Sequence, residues 1–173
     1  MSSDPSADAG PVQSRVQLER LIAEDELVGR TIAGFAAQNV AMRSTDLDGV
    51  SIERLDLQSA DGDEARLERA ELKLTDLRGS QWKGALWNRV KAKDCDLTGA
   101  DFTGAQLLRC ELGPVRMART VFHRARIQHG KLVESELYSA DFTRAVLLAV
   151  TFEGYDGATV SLSRTDWTGA ALF

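Results

Sequence analysis

The sequence predicts a solenoid, and three observations carry that prediction. Between Cys95 and Phe152 the chain reads in fives: Cys95-Asp96-Leu97-Thr98-Gly99, Ala100-Asp101-Phe102-Thr103-Gly104, Ala105-Gln106-Leu107-Leu108-Arg109. A small residue opens each group, and Leu, Phe, Ile or Met follows two positions on. Neither the helix period of about 3.6 nor the strand period of about 2 produces that spacing. The same register runs from Met42 to Leu172, 27 units counted every fifth position, and only Gly62, Ala92 and Gly157 lack a large side chain. The position two earlier is small or β-branched almost throughout, from Val40 and Thr45 to Thr165 and Ala170, with Leu55 and Tyr155 as the bulky exceptions. Units this short bury an apolar side chain only by stacking on their neighbours.

Taken in order, the chain begins with residues 1–13, rich in Ser, Asp, Ala, Gly and Pro and read as a disordered tail. They hold no long apolar run, so neither a secretory signal nor a membrane span is expected. Ser14 followed by Gln17 forms a capping-box pattern that opens a helix. Leu18, Leu21 and Ile22 share one face of that helix, and Gly29 is its expected stop. The helix is expected to cover the first coil, because an uncovered solenoid end exposes apolar core and strand edges; a partner-binding helix is the other reading. Ile32, Phe35 and Ala37 lead in, so 14–39 is capping helix and lead-in, and 40–173 is the repeat domain. Ser59–Glu64 and Glu153–Gly157 break the pattern and read as bulged corners. Asp61, Asp63 and Glu64 lack the spacing of an EF-hand loop and read as a solvated acidic turn.

At the level of single units the chain resembles the pentapeptide-repeat family, whose consensus is Ala-(Asp/Asn)-Leu-x-x. Ala100-Asp101-Phe102, Ala140-Asp141-Phe142, Thr75-Asp76-Leu77 and Cys95-Asp96-Leu97 match it directly, and the resemblance covers roughly residues 40 to 173. It implies an all-β fold: a right-handed, quadrilateral β-helix with four units, or twenty residues, per coil, here just under seven coils. Two positions of each unit then point inward and three outward. Twenty-residue spacing stacks Phe102, Phe122 and Phe142 in one column, where their rings add to simple burial. Ala92 shares a coil with Trp82 and Trp87 and is expected to offset those oversized centres; Tyr155 is expected to fill what Gly157 leaves. Cys95 and Cys110 take small inward positions on different sides of the coil, which argues against a bridge and for a reducing, cytoplasmic setting.

No catalytic constellation is present: the chain has no phosphate-cradling glycine loop, no nucleophile elbow and no acid pair in an evident pocket. His123 and His129 lack a second ligand at metal spacing, so no metal or cofactor is expected. The outer surface is then the candidate site. On the side centred on Leu107 and Leu147, Leu86, Leu108, Val146 and Leu148 point outward as an apolar contact group. Two columns of positive residues flank it, Arg69, Arg89, Arg109 and His129 at one corner and Arg124, Arg144 and Arg164 at the other. Like charges stacked one strand apart repel, which favours an acidic protein partner. Opposite, Asp56, Asp76, Asp96, Glu136 and Asp156 form an acidic column interrupted by Arg116, at a position belonging to the family pattern. The chain's end at Leu172-Phe173, inside the repeat, is expected to pair as a homodimer or dock on another protein.

The leading expectation is therefore a non-enzymatic protein–protein interaction scaffold. The alternative comes from the resemblance: several members are acidic rods that mimic duplex DNA and bind DNA gyrase, protecting it from quinolones. A faithful mimic needs about one negative charge per 1.7 Å, yet residues 40–173 hold 20 acids against 18 Lys and Arg, and the whole chain carries only −5. The same near-neutral balance argues against direct nucleic-acid binding. A weaker alternative is an accessory of a secretion or effector system.

Overall fold

The computed structural model describes residues 10–154 and the backbone of Ala171–Leu172. Short strands, all parallel, climb about six turns of a four-sided solenoid. One side is a seven-stranded sheet running from Thr31–Ala33 to Thr151–Glu153, with Leu112 among its inward centres. The Leu107 side is a six-stranded sheet that starts at Arg66–Glu68. The Leu97 side pairs Cys95–Asp96 with Val115–Arg116 and otherwise holds by single bridges such as Asp56 to Asp76; the Phe102 side holds by bridges alone, from Ala41–Asp61 to Val121–Asp141. From Ile32–Ile52 to Leu132–Phe152 each pairing is offset by twenty residues, which is the coil length the repeats predict.

The repeat closes because every fifth residue turns the corner with a left-handed backbone. At the second position after each centre, non-glycine residues from Asn39 to Ala149 hold φ between 48° and 60°. That conformation costs an L-residue about 1 kcal/mol, and the corner amide recovers it by bonding to the next coil, as Arg109 N–H does to Gln128 O at 2.8 Å. Pro114 is the exception, since its ring fixes φ negative. There the corner is made with Gly113 at φ 154° and a cis Gly113–Pro114 bond, and Asp94 N–H donates to Pro114 O instead. A Cβ on Gly113 would collide with the Val133 carbonyl.

The core is a single column of buried centres and small residues. Phe102, Phe122 and Phe142 stack with centroids 5.4 and 4.7 Å apart, and Trp82 continues the stack below at 6.5 Å. The space for Trp82 comes from Gly62 directly beneath it, where a Cβ would overlap the indole ring, and not from Ala92 alone as the sequence suggests. Gly62 is accordingly no bulge. It is a buried centre, and Asp61 beside it bridges regularly to Ala41 and Gln81. Trp82 Nε1–H donates to Ser80 Oγ at 2.8 Å, so the buried indole is satisfied.

At the N-terminus a helix spans Arg15–Ala23, capped by Ser14 Oγ accepting from Gln17 N–H at 3.3 Å. It ends before Gly29, with Glu24 N–H on Arg20 O, and Gly29 turns the chain into the first strand at φ 70°. Leu18, Leu21 and Leu27 are fully buried in the same core as Ile32 and Met42, and Arg15 caps the Gln38 carbonyl at 2.8 Å. Val12, expected in the tail, is fully buried and bridges to Ile32, so the helix is an insertion within the first turn. A second correction lies at the other end. Leu172 pairs with Leu147, twenty-five residues away, and not with Phe152 as an unbroken twenty-residue register requires. Tyr155, Asp156, Gly157, Arg164, Trp167 and Phe173, and the Leu172 side chain, lie outside the described residues.

The Gly62–Trp82 contact gives a direct test. Gly62→Ala should lower stability by about 1–3 kcal/mol in urea unfolding, and the double variant Gly62→Ala/Trp82→Leu should lose less than the two singles combined. Simple addition of the two losses would mean that the ring does not occupy the glycine's space.

Candidate protein-interaction face

On three of the four sides many of the acids are hydrogen-bonded or ion-paired within the solenoid. On the Leu97 side, each aspartate before a centre folds back on its own chain: Asp56, Asp76 and Asp96 Oδ1 accept the N–H two residues on, at 3.0–3.1 Å. Asp46, Asp61, Asp101 and Asp141 do the same on other sides. These are Asx turns, and they explain why the repeat favours Asp there. The second oxygen is taken from the coil below, by Gln38 on Asp56 at 2.6 Å and Gln58 on Asp76 at 2.9 Å. Arg116 pairs with Asp96 at 2.9 Å, and Arg78 with Asp76 at 2.6 Å.

On the Phe102 side Arg43 spans Asp61 and Asp63 at 3.0 and 3.2 Å, and Lys83 lies 3.3 Å from Asp101. On the Leu112 side the register sets Glu71, Lys91, Glu111 and Lys131 in one alternating column. Cross-strand opposite charges of this kind are mildly stabilising.

The Leu107 side differs. Its first two coils carry Asp46, Asp48 and Glu68, met by Arg66 on Glu68 at 2.7 Å and by Arg69 on Asp48. Glu68 is held below the usual carboxylate range by its hydrogen bond from Arg66, which outweighs its desolvation, and the charges of Arg69 and Arg89 add to it. Above Glu68 the outward strand positions are Leu86, Asn88, Gln106, Leu108, Arg126, Gln128, Val146 and Leu148, without one acid. Their flanking corners carry Arg89, Arg109 and His129 on one edge and Arg124 and Arg144 on the other. None of Arg89, Arg109, Arg124, Arg126 and Arg144 makes an ion pair among the described residues, and all five are exposed.

The predicted residues sort accordingly. Arg69 belongs to the neutralised part, and Arg164 lies outside the described residues. Leu86, Leu108, Val146 and Leu148 are half-buried and form two separate pairs. Leu86 and Leu108 sit at opposite strand ends one coil apart, and Arg126 and Gln128 separate them from Val146 and Leu148. Sequence reasoning missed Arg126, which the twenty-residue register already placed on this face directly before Ile127. A groove of about 300 Å³ opens between Asn88, Leu108, Arg109, Gln128 and His129. Among the described residues no cluster of metal-ligating side chains occurs. Cys95 and Cys110 are free and buried, and burial pushes their thiols up to about 11 and about 12.

The pentapeptide-repeat family model matches in eight copies, over residues 41–79 and 88–113. The chain carries pentapeptide repeats over these two stretches. No curated protein matches this pentapeptide-repeat chain in sequence. Among solved structures it is similar to HetL, a pentapeptide-repeat protein involved in heterocyst differentiation regulation from the cyanobacterium Nostoc sp. strain PCC 7120, at 15% identity and TM-score 0.40, covering 90% of this chain and 93% of that one. It is also similar to trypsin-treated QnrB1, a plasmid-mediated fluoroquinolone resistance protein, at 16% identity and TM-score 0.39, covering 85% and 84%. A third likeness is to Rfr23 from the cyanobacterium Cyanothece 51142, at 18% identity and TM-score 0.29, covering 90% and 92%. At these identities and scores the likenesses carry no functional information.

Two outcomes follow from the site chemistry. Burial pushes the Asp76 and Asp101 carboxyls up, but hydrogen bonds from Arg78 and from Thr103, with the nearby cations, outweigh it and hold both below the ordinary range. A lowered folded pKa gives stability that is present above the unfolded value, about 3.9, and lost as pH falls through the folded one. Asp76→Asn/Asp101→Asn should therefore flatten the loss of urea resistance between neutral pH and pH of about 3. A loss as steep as in the native chain would deny these carboxylates their role. Thiol labelling at mildly alkaline pH should leave both cysteines unmodified until urea unfolds the protein.

Proposed function

We propose that this pentapeptide-repeat protein is a non-enzymatic protein–protein interaction scaffold, and that its contact surface is the upper Leu107 face. The observation that carries this reading is the absence, among the described residues, of any acid at the outward positions above Glu68, beside five arginines without an ion pair there. Other exposed cations also lack an ion pair among the described residues, Arg119 on the Leu97 side and the stacked Lys73 and Lys93 on the Leu112 side. The upper Leu107 face, however, gathers five such arginines around half-buried Leu108 and Leu148. A protein surface supplies the missing acid together with apolar atoms for Leu108 and Leu148, the mixture of rim charge and buried anchor common at interfaces. The buried free thiols suit a reducing compartment, and we place the protein in the cytoplasm.

The gyrase-binding reading would rest on the Leu97 side, with Asp56, Asp76 and Asp96 standing in for phosphates. Arg78 and Arg116 lie against Asp76 and Asp96 in that same column and offset part of its charge, which leaves it well short of a duplex that carries one negative charge per roughly 1.7 Å.

Affinity capture tests the two together. Partner recovery should be lost with Leu108→Glu/Leu148→Glu and with Arg109→Glu/Arg124→Glu, while Asp56→Lys leaves it intact. Purified gyrase should keep its supercoiling rate, with or without a quinolone, when the protein is added at micromolar levels. Inhibition or protection there, sensitive to Asp56→Lys and not to Arg109→Glu, would replace the scaffold reading by the DNA-mimic one.

A further inference from the structure

We infer that the occupant of the upper Leu107 face is an acidic amphipathic α-helix lying along the solenoid axis. The inference rests on the scaffold reading and specifies its partner. Geometry selects the element. Coils repeat about every 4.8 Å, so from Leu86 to Val146 the face climbs three steps, about 14 Å. Side chains three or four apart on a helix rise about 4.5–6.0 Å per step, and over three steps they stay near one side chain per coil. An extended strand laid the same way spaces its same-side residues about 6.6–6.8 Å apart. After three steps it is more than one whole coil out of phase. The width agrees as well: a three-residue strand with its corners is roughly 10 Å across, close to the diameter of a helix with side chains.

The charge pattern selects the chemistry. Arg89 and Arg109 stack along one edge, Arg124 and Arg144 along the other, and half-buried Leu108 and Leu148 lie between them. A helix with an apolar stripe flanked on both sides by Glu or Asp answers each of these features, and the groove beside Leu108 and Arg109 admits one anchoring side chain. A second copy of this chain set about the middle of the cationic stretch does not. An antiparallel two-fold pairing centred between Trp87 and Leu107 preserves each column and sets Arg66 against Arg126 and Arg89 against Arg109. Those are like charges at the centre of the contact, which costs affinity.

The test uses the full chain and a fluorescein-labelled peptide of about sixteen residues, designed with Leu along one helical stripe and Glu on both flanks. The comparison probes are polyglutamate of equal length and a single-stranded oligonucleotide. The inference expects the peptide to bind, to gain helicity on binding, and to bind tighter than either comparison probe. Arg109→Glu/Arg124→Glu should weaken it by about tenfold or more, whereas Lys91→Glu on the Leu112 side should leave it unchanged. Circular dichroism of each variant checks that the solenoid persists. If polyglutamate binds as well as the peptide and depends on the same arginines, the helix is wrong and the acidic-partner reading stands. If neither binds, or the arginine reversal changes nothing, both fall. Tighter binding of the oligonucleotide would make this a nucleic-acid surface and overturn the inference.

Discussion

The left-handed corner is the constraint on which the rest of the solenoid depends. A residue held at φ near 55° once per unit turns the chain from one side to the next and aims its amide at the coil above. Such residues are unfavourable in isolation, so each corner stands because neighbouring coils hold it. The Asx turns act at the same place, since the aspartate before each centre accepts the N–H just ahead of the corner. The family's preference for Asp at that position is therefore a matter of turn chemistry first. Charge carried to the surface is a by-product that the chain then has to balance.

Much of the fold was legible because its causes are local and repeated. The five-residue register, the ring column of Phe102, Phe122 and Phe142, the helix start at Ser14 and the free buried cysteines depend on residue size and spacing. What escaped depends on contacts between coils or on the number of residues between paired strands. Nothing within the pentapeptide around Gly62 says that its missing side chain belongs to Trp82, because the two are twenty residues apart and meet only after stacking. Val12 precedes the helix and carries no repeat signature, yet it completes the first turn. The pairing of Leu172 with Leu147 required knowing that one interval between strands is a unit longer.

The face was legible in part. Sequence register could assign arginines to columns, but not tell a paired guanidinium from an unpaired one. Arg69 reaches down to Asp48 and Arg78 pairs with Asp76 on its own coil, whereas Arg109 and Arg124 make no ion pair among the described residues. That distinction needs side chains and their neighbours on adjacent coils. It also separates the two halves of one sheet, carrying both signs up to Glu68 and only cations above it among the described residues, in a chain whose total charge of −5 conceals the division.

The fit of Gly62 beneath Trp82 has a consequence for assembly of the chain itself. A stack of near-equivalent coils can close with a strand hydrogen-bonded one coil too far along, and most centres here would tolerate the error, Leu simply replacing Leu. Trp82 would not, because above any other centre of its column it would meet Met42 or a phenylalanine where it needs an empty Cβ position. One glycine and one tryptophan thus work as a lock and key for counting. They give an otherwise repetitive ladder a rung that can be placed at a single height.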